Sequence, residues 1–63
     1  MKSQETFEFD ALLIDETEMA VKVRYEGNVC WLPKSQIEYA LGLADAIEIS
    51  CPEWLAIEKG IVR

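Results

Sequence analysis

The chain predicts a mainly β fold with some helix (α+β): a small four-stranded bent antiparallel sheet or SH3/OB-like half-barrel, with one or two short helices. Three observations predict it. Apolar and polar residues alternate through Phe7–Leu13, Met19–Tyr25 and Ile47–Cys51, the period of half-buried strands. Gly27-Asn28 falls between two such runs, where a two-residue hairpin loop needs positive φ. Finally, 63 residues make a single domain near the lower limit for unaided folding, so almost every large apolar side chain must serve the core.

The first strand is read over Thr6–Ile14, with Phe7, Phe9, Ala11 and Leu13 on one face and Glu8, Asp10, Leu12 and Ile14 on the other. Asp15-Glu16-Thr17-Glu18 breaks the alternation and reads as a turn. Met19–Glu26 is the second strand, with Met19, Val21, Val23 and Tyr25 inward and Ala20, Lys22, Arg24 and Glu26 outward. Val29–Leu32 returns as the third, and Pro33 ends it because proline cannot donate to a ladder.

Within Lys34–Ala44, Ser35 as N-cap and Glu38 completing a capping box predict one to two helical turns. Ile37, Leu41 and Ala44 lie along one side, and Gly42 interrupts early. Ala46–Cys51 is the fourth strand, with Ile47, Ile49 and Cys51 opposite Glu48 and Ser50. Pro52 then suits a first helical turn, Glu53 the positive helix end, and Gly60 the C-cap. Trp54, Ile57 and Ile61, at i, i+3 and i+7, are expected to cover one end of the sheet.

The hairpin decides the side of Trp31. With Gly27-Asn28 as the loop, Tyr25 pairs with Cys30, Arg24 with Trp31 and Val23 with Leu32. Cys30 and Leu32 then point inward with Val23, and Trp31 stands outside beside Arg24. A loop one residue longer reverses every assignment and buries Trp31. Both readings stay open, because a tryptophan in so small a domain is ordinarily core.

Composition narrows the chemistry. No histidine is present, and Cys30 and Cys51 form no C-x-x-C pair, which leaves no zinc site. Both cysteines sit in apolar strand patterns, as buried free thiols do; one disulfide is the alternative. Met1–Glu5 holds no apolar leader and no 18-residue apolar run occurs, so a reduced, cytoplasmic, membrane-free setting is expected. Asp15, Glu16 and Glu18 crowd a turn, without the cleft that acid–base catalysis needs. Gly27, Gly42 and Gly60 form no phosphate loop. The expectation is a non-enzyme with no cofactor.

The net charge of −6 is unevenly spread. Glu5, Glu8, Asp10, Asp15, Glu16 and Glu18 lie together without a base, whereas Lys22, Arg24 and Lys34 share the middle of the chain with Glu26. Two binding surfaces follow. Glu8, Asp10, Asp15, Glu16 and Glu18 would meet the basic surface of a host protein or nucleoprotein complex. Alternatively, Lys22, Arg24, Trp31 and Lys34 would hold single-stranded nucleic acid, against the overall charge. An acidic surface that only keeps the protein soluble explains the first pattern equally well. A homodimer through Leu41, Leu43 and Ile47 is a further expectation, since it buries more apolar surface.

Trp31-Leu32-Pro33-Lys34-Ser35-Gln36-Ile37-Glu38 and Pro52-Glu53-Trp54-Leu55-Ala56-x-x-Lys59-Gly60 resemble a small module of phage, prophage and plasmid proteins met near replication and recombination functions. The resemblance covers about the last half of the chain. It implies a mobile-element origin and a binding role, not a reaction. Analogy of size, charge and origin extends this to an inhibitor of a nucleic-acid-handling host complex, anti-CRISPR proteins being one example.

Overall fold

The computed structural model describes residues 5–62, so the expectation of a leaderless Met1–Gln4 lies outside it. The chain is mainly β with one short helix, in the order β1 (Thr6–Glu16), β2 (Ala20–Tyr25), β3 (Asn28–Pro33), a 3₁₀ turn (Lys34–Gln36), β4 (Glu38–Leu41), β5 (Ala46–Pro52) and α1 (Glu53–Glu58). One antiparallel sheet has the order β3-β2-β1-β5-β4. Five strands therefore stand where four were expected.

Alternation in β1, β2 and β5 sorts side chains onto two faces as the sequence predicts. The inner face carries Phe9, Ala11, Val21, Val23, Leu32, Ile47, Ile49 and Cys51, all buried. Phe9 packs against Phe7 and Tyr25 with ring centroids 5.5 and 4.8 Å away. Leu55 and Ala56 of α1 close over this face, together with Ile37. Ile47 is fully buried in the chain's own core, so it is withdrawn from any dimer contact; Leu41 stays exposed. Met19, expected inward, is exposed in the turn before β2.

β1 runs on through Asp15 and Glu16, two residues expected in a turn. A bulge between Leu13 and Asp15 lets the ladder to β2 continue, with Asp15 opposite Lys22 and Glu16 opposite Val21. The turn proper is built by Thr17, whose hydroxyl accepts from the Met19 and Ala20 amides at 3.3 and 3.1 Å.

The β2–β3 loop is Glu26-Gly27 rather than Gly27-Asn28. Both residues have positive φ, 50° and 81°, as a type I′ turn requires. Asn28 is held in β3 because its side-chain amide donates to the Lys59 carbonyl at 2.8 Å. The ladder is displaced by two residues, so Trp31 faces Lys22 instead of Arg24, and Val21 faces Leu32. An even displacement conserves the side assignment. Trp31 is thus on the outer face, 39% exposed. Since asparagine tolerates positive φ better than glutamate, Glu26→Asn is expected to stabilise the hairpin by about 0.5–1 kcal/mol. Urea unfolding at constant slope reads the gain, and an unchanged midpoint refutes it.

The helix expected over Lys34–Ala44 with a Ser35–Glu38 capping box does not form. Ser35 lies inside a single 3₁₀ turn that has no side-chain cap. Ile37 is buried with extended dihedrals, φ −132° and ψ 164°, and β4 follows directly. This connection joins the two edges of the sheet. Edge strands of a flat five-stranded sheet stand about 19 Å apart, whereas a 3₁₀ turn plus two extended steps reaches about 13 Å. The sheet is therefore not flat.

α1 also turns a different side to the core than expected. Leu55 and Ala56 are buried, while Trp54 and Ile57 are 47% and 53% exposed. Gly60 ends the helix as predicted, with φ +79°. Its amide donates to the Ile57 carbonyl at 3.1 Å and that of Ile61 to the Ala56 carbonyl at 2.8 Å, the two bonds of a Schellman motif. Ile61 then packs on the core.

Candidate binding face

With the inner face covered, the outer face carries the side chains free to act. Strand register arranges them in rows. One row across β3, β2, β1 and β5 is Val29, Arg24, Leu12 and Ala46; the next holds Trp31, Lys22 and Asp15. On the other side of the sheet, Asp10, Glu48 and Ala40 form one row across β1, β5 and β4, and Glu8, Ser50 and Glu38 another. The face is therefore polarised: cations and an indole on β2–β3, carboxylates on β1–β5–β4, with Leu12 and Ile14 exposed between.

The carboxylate half is an open groove of about 350 Å³ that includes Glu8, Asp10, Glu38, Glu48 and Ser50 in its lining, and among the described residues no Lys or Arg lines it. Of the five acids proposed from sequence, Glu8 and Asp10 lie here. Asp15, Glu16 and Glu18 lie at the opposite end of β1, with Glu16 about 20 Å from Asp10 along the strand. Glu16 is moreover engaged: Lys34 Nζ donates to its Oε2 at 2.6 Å. Sequence reasoning missed Glu38 and Glu48 as site residues. The outward position of Glu48 was legible from the alternation of β5, but its placement beside Asp10 depends on the β1–β5 pairing.

The four members of the alternative set are not one site either. Lys22 sits over the Trp31 ring, 5.9 Å from the centroid, and Arg24 shares their face. Lys34 is drawn to Glu16 and lies 6.0 Å from the Tyr39 ring centroid. The hydrogen bond it donates to Glu16 raises its pKa above the ordinary lysine value, despite some opposing desolvation. An exposed pair of this kind contributes little to stability.

Cys30 and Cys51 are free thiols. Burial raises both above the ordinary thiol range; Lys59 partly opposes the shift at Cys30, and Cys30 adds to that at Cys51. They are protonated, weakly nucleophilic groups at neutral pH. Among the described residues no three His, Cys, Asp or Glu side chains are grouped to hold a metal ion, so the groove carboxylates do not form a cation cage. No helix among them is long and apolar enough to cross a membrane. No protein-family model, curated protein or solved structure matches the chain.

Proposed function

We infer that the protein is a small acidic, non-enzymatic binding domain whose outer sheet face docks a basic segment of another protein. The carrying observation is the convergence of Glu8, Asp10, Glu38 and Glu48 from three strands on one groove with no neutralising cation in its lining among the described residues. The four-residue edge-to-edge connection, too short to span a flat five-stranded sheet, supports reading the scaffold as a half-barrel closed over its apolar inner face, with the acids on the outer one. Occupying a surface that otherwise holds nucleic acid is the inhibitory form of this role, in keeping with the phage-module resemblance of Trp31–Glu38 and Pro52–Gly60. The cytoplasm is the compartment proposed for it.

A second reading, a single-strand nucleic-acid module, is favoured by the shared face of Lys22, Arg24 and Trp31. It is weaker, because Lys34 is diverted to Glu16 and four carboxylates stand on the same sheet face.

Fluorescence anisotropy with a labelled lysine-rich peptide and a labelled single-stranded oligonucleotide separates the two. The expected result is salt-sensitive peptide binding, weakened about tenfold or more by Glu38→Lys with Glu48→Lys, and no oligonucleotide binding. Oligonucleotide binding that Trp31→Ala abolishes in a folded domain transfers the function to β2–β3.

A further inference from the structure

β4 is open in both its backbone and its side chains. It lies at the sheet edge, paired to β5 alone among the described residues, and all four of its residues are exposed. The Gly42 amide donates to the Ala46 carbonyl at 2.9 Å, and the antiparallel alternation extends that bonded register to Ala40–Glu48 and Glu38–Ser50. Tyr39 and Leu41 therefore direct their amides and carbonyls away from the sheet. Edges are commonly blunted by shortness, by charged side chains and lysine above all, by proline or by a bulge; β4 is short and carries one charge, Glu38. Glu38-Tyr39-Ala40-Leu41 contains no lysine or proline, and its pairing with β5 is regular.

The two faces of this edge ask for different side chains. On the outer face β4 presents Glu38 and the small Ala40, behind which stands Glu48. On the inner side it presents Tyr39 and Leu41, the latter 63% exposed, in register with Ile49 and Ile47.

We propose that β4 takes up a sixth strand from a partner protein, an extended segment in which basic residues alternate with apolar ones. The proposal deepens the reading of the acidic groove and rests on it. Basic side chains of the added strand lie on the outer face beside Glu38, and reach across Ala40 to Glu48 about 10 Å away, within the combined span of the two side chains. Its apolar side chains fall on the other face against Tyr39 and Leu41. Main-chain bonds to Tyr39 and Leu41 supply affinity, and the alternation supplies specificity. A second copy of this chain does not suit the edge: pairing two β4 strands adds a second set of Glu8, Asp10, Glu38 and Glu48 to one continuous face, like charges with no cation among them in the described residues.

The test titrates the protein with a synthetic peptide alternating lysine and valine over about ten residues. It is repeated with the same peptide N-methylated at every backbone amide, which retains charge and apolar surface but removes the donors. Calorimetry gives affinity and amide NMR shifts give location. The expected result is binding with the largest shifts at Tyr39–Leu41, weakened about tenfold or more by N-methylation. Equal affinity for both peptides, with binding still lost in the Glu38→Lys, Glu48→Lys protein, overturns strand addition and leaves the acidic groove standing. Affinity unchanged by the charge reversal, or no binding of either peptide, overturns both.

Discussion

Leu32→Ala is expected to lower the melting midpoint by about 10 °C or more, whereas Trp31→Ala, one residue earlier, leaves the protein folded. Leu32 is 0% exposed and faces Val21, itself fully buried, across the β2–β3 ladder. Removing three carbons there costs the transfer free energy plus a cavity term, together about 2–5 kcal/mol. A domain of this length holds about 3–9 kcal/mol in all, so the substitution removes a large share of it. Trp31 lies on the outer face, where its loss sacrifices partial burial and a contact with Lys22. Thermal melts followed by circular dichroism give the comparison. A Leu32→Ala midpoint within about 5 °C of the wild type, a shift worth only about 1 kcal/mol, contradicts the core assignment.

Gly60→Ala is the second substitution with a large expected effect, about 2 kcal/mol. A side chain at φ +79° carries the left-handed penalty of about 1–2 kcal/mol. The added Cβ would also stand 3.3 Å from Asn28 Nδ2, the group that donates to the Lys59 carbonyl. Moving Asn28 aside weakens that bond, worth about 1 kcal/mol. The two sites share one interaction, so Asn28→Ala combined with Gly60→Ala should cost less than the sum of the single changes. Denaturant unfolding of the four proteins of this cycle measures the coupling. Strict additivity would show that Gly60 acts through its backbone alone.

The strands with one buried face were legible because period-two alternation is dictated by the core they cover. Thr6–Ile14, Met19–Glu26 and Ala46–Cys51 each map onto a strand with the inward set nearly as read, Met19 being the exception. β4 was illegible for the converse reason: no residue of Glu38–Leu41 is buried, and the apolar Ala40 on its outer face blurs the alternation of Tyr39 and Leu41. The Ser35–Glu38 spacing mimicked a capping box, but Ile37 is buried with extended backbone, which a helix through Ser35–Glu38 does not allow. In α1, the bulk of Trp54 and Ile57 suggested the core side. A six-residue helix is too short for periodicity to decide, and the inward direction of Cys51 on the preceding strand delivers Leu55 and Ala56 to the core instead.

The candidate site was half legible. Glu8 and Asp10 follow from alternation in β1. Adding Glu38 and Glu48 requires the strand order, which depends on long-range pairing that no local pattern encodes. The side of Trp31 was open in the sequence, with a core position the ordinary expectation. The hairpin pairing that put it outside used an incorrect loop, and a displacement of two residues preserves facing while changing every partner.

The central position of β1 has a kinetic consequence. Its partner on one side, β2, follows after a three-residue turn, but its partner on the other is β5, with Thr6 opposite Pro52. The β1–β2–β3 meander closes only short loops, while joining β5 must close at least the 33 residues between Leu12 and Ala46 and bears the larger entropic barrier. During synthesis, Phe9, Val21, Val23 and Leu32 emerge before Ile47, Ile49, Leu55 and Ala56, the residues that complete their enclosure. The nascent chain thus carries a half-built sheet with an unpaired inner edge until its last segment docks, and that interval is when it is most exposed to misassembly.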